Sequence, residues 1–127
     1  METANQVRDA VDQYGTSYAN RAREQFLALF AAEATLTAPI PTSTRVGHVE
    51  IGEFFDGAMA SAPDFAVIID HTIVCAQTAA VNFHFEATIY GTRMGVHGID
   101  VFTFDSQGLI VDLTAYWDPA DFAPVRE

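Results

Sequence analysis

Apolar residues recur at helical spacing near the amino terminus, where Val7, Ala10, Val11, Tyr14 and Tyr18 share one face. The pattern predicts an amphipathic first helix. Asn20 is placed to cap a second, with Ala22, Phe26, Leu29 and Phe30 as its apolar stripe. Residues 34–38 read as a short strand stopped by Pro39 and Pro41. After Gly47, the positions of Val49, Ile51, Phe54, Phe55, Ala58 and Met59 describe a third helix, and Pro63 closes that region. Residues 65–75, 78–90, 94–104 and 109–117 are rich in β-branched and aromatic side chains and predict four strands. Gly91-Thr92 offers a two-residue hairpin turn and residues 105–108 a four-residue one. Three helices followed by an antiparallel meander define an α+β domain, with helices covering one face of a curved sheet. No repeat or linker divides residues 1–127, which read as one domain.

The two turns set an expected register. Phe83 should face Asp100, Phe85 should face Gly98, and Ala87 should face Val96. Across the second turn, Leu113 should face Asp100, Ala115 Gly98, and Trp117 Val96. Asp100 is then ringed by Phe83, Phe85, Phe102, Leu113 and Trp117, while the small Ala87, Gly98 and Ala115 leave room. Such a sheet resembles a ligand pocket more than a filled core. A carboxylate in the apolar run from Met94 to Phe104 is costly to desolvate, so a raised pKa and a neutral acid are expected. A neutral acid can donate a hydrogen bond into an apolar site. The blander reading is an Asp satisfied by backbone groups or by a basic partner.

The opposite face carries His84, Glu86 and His97, with Glu86 expected across from His97. Flat sheet faces rarely converge ligands on a metal, so a charge cluster at the surface or a subunit contact is the expectation. Ile99 and Val101 lie beside these residues, which points to a second copy covering the face. Asp70-His71 has the look of an acid–base dyad, but neighbouring strand residues point to opposite faces. His48 is expected to be solvated.

Composition narrows the function classes. Seventeen acidic against six basic residues give a formal net charge of −11, which argues against nucleic acid and anionic membranes as partners. The single Cys75 excludes an intrachain disulfide, and no Cys/His spacing matches a zinc site. No metal or cofactor is expected. With no apolar signal core and no membrane-spanning run, a cytoplasmic protein is the default expectation.

These residues resemble the ketosteroid isomerase (steroid Δ5-isomerase) family, within the wider group of nuclear transport factor 2 and the polyketide cyclases. The resemblance runs nearly end to end. It rests on Tyr14 in the first helix, LFAAEATLTAPIP at 29–41, GHVEIGEFF at 47–55, GIDVFTFD at 98–105, Ala115-Tyr-Trp, and Val125-Arg-Glu. It implies a cone-shaped fold, a homodimer, and an oxyanion hole made by Tyr14 and a protonated Asp100. The neutral acid of this enzyme is itself a standard worked case of pKa tuning. The family's shuttling base, however, falls on Ala38, with Thr37 at the adjacent Glu. A methyl group cannot take a proton. The family's supporting tyrosines fall on Phe30 and Phe55, so Tyr14 is expected to depend on the ligand, Asp100 or water for a partner. Glu53, Asp56 and Asp118 are acids near the expected pocket without a motif to recommend them, and Asp112 points outward.

Two function classes follow. One is an isomerase, or a related lyase or cyclase, acting on a polycyclic ketone, with Tyr14 and Asp100 as catalytic donors. The other is a binding module that holds a steroid- or polyketide-like ketone or phenol without turnover. Ala38, Phe54, Phe55, Phe83, Phe85, Val96, Gly98, Phe102, Leu113, Ala115 and Trp117 are the expected walls.

Overall fold

The computed structural model describes residues 2–125. Arg126 and Glu127, part of the resemblance at the chain end, lie outside the described residues. The apolar face of α1 (Glu2–Ala19) is buried at each of its five expected positions, Val7 through Tyr18. This helix runs close over the sheet, because an added Cβ at Gly15 would sit 3.0 Å from Ile69. The second helix is shorter than expected. α2 spans Arg23–Ala28 and begins after Ala22, so Asn20 does not cap it. Leu29 closes it, and Phe30 starts β1 (Phe30–Thr37) instead of extending a helical stripe. The cause is a strand partner waiting there: the Leu29 carbonyl accepts the Ile110 amide at 2.8 Å, and Phe30 bridges Ile110.

β2 (Arg45–Val46) leads directly into α3 (Gly47–Ser61), which buries Ile51 and Phe55. Gly47 has a φ of +84°, a conformation that costs other residues more. The remaining strands are β3 (Ala66–Cys75), β4 (Thr78–Ile89), β5 (Thr92–Phe104), β6 (Ile110–Tyr116) and β7 (Ala123–Pro124), with a 3-10 turn at Pro119–Asp121. The order is β2-β1-β6-β5-β4-β3, with β7 pairing β5. β1 runs parallel to β6, so the sheet is mixed and not purely antiparallel as the meander implied. Its two edges stay apart and the helices pack over one face. Among the described residues, no helix is long and apolar enough to cross a membrane.

Both expected hairpin registers are displaced by two residues. The first turn is centred on Tyr90-Gly91, where φ values of +50° and +81° match the left-handed pair of a type I′ turn. Phe83 therefore faces Gly98, Phe85 faces Val96, Ala87 faces Met94, and Val81 faces Asp100. On the other side Asp100 faces Ala115 and Phe102 faces Leu113. That turn has five residues rather than four, because the Asp105 side chain accepts the Gln107 and Leu109 amides at 2.9 and 3.0 Å. An irregularity between Thr103 and Phe104 adds the second step. Since side chains alternate with a period of two, an even displacement leaves every residue on its expected face.

Candidate functional site

Under the helices the inner face of the sheet encloses a cavity of about 410 Å³. Of the residues expected to line it, Tyr14, Ala38, Phe54, Phe83, Phe85, Asp100, Ala115 and Trp117 do so. Phe55, Val96, Gly98, Phe102 and Leu113 do not, and each has a packing reason. Phe55 stacks on Tyr18 with ring centroids 5.5 Å apart, and Phe102 meets Tyr14 edge-on at 5.2 Å. Val96 and Leu113 are buried core residues. A Cβ at Gly98 would meet the Tyr116 carbonyl oxygen at 2.7 Å, so Gly98 serves strand packing.

Asp100 is 2% exposed, and among the described residues no opposite charge compensates that burial. Among the described residues no donor reaches its carboxyl, so desolvation pushes its pKa up to about 8. That shift favours the neutral form at pH 7, and Asp100 lines the cavity. Tyr14 and Tyr18 are buried on the same helical face, one turn apart. Burial, first of all, raises both phenols above their ordinary range, and both also feel Asp100.

The expectation that Tyr14 lacks a hydroxyl network is overturned. Its hydroxyl lies 2.8 Å from that of Tyr18, which also lines the cavity. Phe26 and Phe55 enclose the Tyr18 ring, so the hydroxyl pair is held in place by aromatic contacts. The signal was present in the chain, since Tyr14 and Tyr18 are an i, i+4 pair. Reading both as a core stripe hid it.

Ala38 lines the cavity, while the Thr37 hydroxyl is engaged 2.8 Å away with Thr44. Of the other acids considered, only Glu53 lines the cavity. Asp56 pairs with Arg23 at 2.9 Å, and Asp118 accepts the Ala120 amide at 2.9 Å. Asp112 bonds Thr35 and Thr114. His48 is not free in solvent, because its Nε2 bonds the Phe30 carbonyl at 2.9 Å. Sequence reasoning also missed Arg45, whose guanidinium carbon lies 5.6 Å over the Phe54 ring at the cavity.

On the outer face His84, not Glu86, pairs with His97, and Glu86 faces Gly95. An extra residue in β3 between Ile69 and His71 turns Asp70 to His84 Nδ1 at 2.8 Å. His84 Nε2 lies 3.1 Å from Glu86, and Arg93 links Glu86 to Asp64. Ligand atoms of Asp70, His84 and His97 lie within 4.8 Å of one another. Both His84 nitrogens are already matched to carboxylates, which is the geometry of a charge network.

A buried acid with a raised pKa and a pair of hydrogen-bonded tyrosines thus line one largely apolar cavity. A model of the SnoaL-like domain matches residues 11–113. A steroid Δ-isomerase of Nocardioides simplex is 32% identical over 116 residues, spanning 91% of this chain and 93% of that protein. The chain belongs to the SnoaL-like family, and its likeness to steroid isomerases extends along almost its whole length. Among solved structures, SalBIII, an epoxide hydrolase/cyclase-like enzyme with a role in pyran ring formation in the polyether salinomycin, has a TM-score of 0.88. It is 21% identical, with 98% of this chain and 100% of that chain covered. RV0760c from Mycobacterium tuberculosis, in complex with estradiol-17β-hemisuccinate, has a TM-score of 0.82 at 21% identity, covering 93% of this chain and 98% of that one. At these identities the structural likeness speaks for the fold.

Proposed function

We propose that the protein binds a hydrophobic polycyclic ketone or phenol and stabilises its enolate or phenolate through an oxyanion hole of Tyr14 and protonated Asp100. The observation that carries this reading is the Asp100 carboxyl, buried, uncompensated and open to an apolar cavity beside a tyrosine pair. Loss of a proton from the carbon beside a carbonyl moves charge onto the oxygen. Two O–H donors aimed there lower that barrier, each by about 10²–10³ in rate. Tyr18 can donate to Tyr14, which leaves the Tyr14 proton for the ligand.

A carboxylate base typically adds about 10²–10⁴ in rate, so Ala38 makes this protein a slow isomerase. That same residue favours a second reading, a module that binds without turnover. The steroid isomerase relative and the estradiol-derivative complex of RV0760c support a steroid-like ligand. A homodimer belongs to the same reading, supported by the exposed Ile99 and Tyr116, which face each other across β5 and β6.

The test is Ala38→Asp assayed beside the parent on 5-androstene-3,17-dione. The restored carboxylate is expected to raise isomerisation by about 10²–10⁴. A folded Ala38→Asp protein without any gain refutes the proposed pose. Parent turnover equal to buffer, with phenol binding intact, selects the binding module.

A further inference from the structure

We infer that the ligand carries a carboxylate at the end remote from the oxygen held by Tyr14 and Asp100, and that Arg45 receives it. The inference rests on the reading above and names the ligand class more closely. Among the described residues lining the cavity, Arg45 is the one cation. Arg23 pairs with Asp56 and Arg93 with Asp64 and Glu86. Arg8 and Arg21 meet no carboxylate among the described residues, but they donate to the Thr72, Met59 and Pro63 carbonyls and do not line this cavity. Among the described residues Arg45 also meets no carboxylate within ion-pair distance. Its Nη1 donates to the Glu50 carbonyl at 3.3 Å, and the Phe54 ring lies beneath it. These contacts hold the guanidinium in position and leave most of its five N–H donors unused.

Place in the sheet separates the two polar ends. Arg45 is on β2 at the sheet edge, and Asp100 is on β5, with β1 and β6 between. Three strand steps correspond to about 14 Å along the sheet. Ala38, Ala115, Trp117 and Phe83 line the apolar space nearby. A polycyclic body with an oxygen at one end and a small anion at the other satisfies all three regions. Glu53 also lines the cavity and lies within Coulombic reach of Arg23. Its negative charge favours a singly charged group over a phosphate dianion. A carboxylate matches the guanidinium fork and meets that limit.

The experiment compares estradiol, estradiol-17β-hemisuccinate and the methyl ester of that hemisuccinate by calorimetric or fluorescence titration at pH 7. The free acid is expected to bind about three- to thirtyfold tighter than its ester at low salt, with the difference shrinking at high salt. Arg45→Gln should erase that preference, Arg45→Lys should keep part of it, and Glu53→Gln should widen it. Equal binding of acid and ester by the parent overturns the inference, as does a preference that survives Arg45→Gln. If neither estradiol nor the ester binds, the Tyr14–Asp100 reading fails first, and the two failures are thereby told apart. Arg45 is only half-buried, and unchanged thermal unfolding of its variants separates a binding effect from misfolding.

Discussion

Replacing Asp100 with Asn should stabilise the protein, and the gain should grow with pH. The acid titrates near 3.8 in the unfolded chain and is raised to about 8 by burial in the fold. Between those values the unfolded state releases a proton that the native state keeps. Raising the pH therefore favours unfolding, and the contribution of Asp100 to stability is lost between about pH 4 and pH 8. Each unit is worth about 1.4 kcal/mol, so by pH 7 the loss is of order 4 kcal/mol. Asn has the same shape, keeps a donor, and does not titrate. The stability gap between Asp100→Asn and the parent should widen by about 1.4 kcal/mol per pH unit from pH 5 to 7, then level off above pH 8. Urea unfolding of both proteins at pH 5, 6, 7, 8 and 9 measures it, and all other titrating groups cancel in the difference. A gap that is flat, or that narrows as pH rises, would refute the neutral acid.

Tyr18→Phe should weaken phenol binding by about three- to tenfold through loss of the bond to Tyr14, while Tyr14→Phe should cost more. A titration with a naphthol-type fluorophore ranks the two, and equal effects would remove the ordering of donor and support. Gly98→Ala should destabilise the fold by about 1–3 kcal/mol, because its methyl would press on the Tyr116 carbonyl and the Phe83 and Trp117 side chains. A urea midpoint unchanged from the parent would contradict that packing.

The alternation of apolar residues in the second half of the chain was enough to place Asp100, Phe83, Phe85 and Ala115 on one face. Face depends only on parity, and both register displacements were even. Actual partners were not legible, because they depend on a left-handed Tyr90 and on a five-residue Asp105 turn with a nearby strand irregularity. The parallel β1–β6 pair was hidden too, since nothing local in residues 30–37 reveals a partner about eighty positions away. Within the site, a residue's face was easier to read than its depth. Phe102 and Leu113 share the inward face with Phe83 yet lie beneath the helices, outside the cavity. Arg45 escaped notice because a two-residue strand between a loop and a helix carries no periodicity. Tyr18 shows the opposite case, a signal that was present at i+4 and read only as packing.

The central claim is that Tyr14 and protonated Asp100 together grip one oxygen atom, and the most direct measurement compares estradiol with the same skeleton lacking the 3-hydroxyl. Calorimetric titration at pH 7 should give about ten- to a hundredfold tighter binding of the phenol, because its loss leaves buried donors unmatched. Equal affinity for the two steroids would contradict the account.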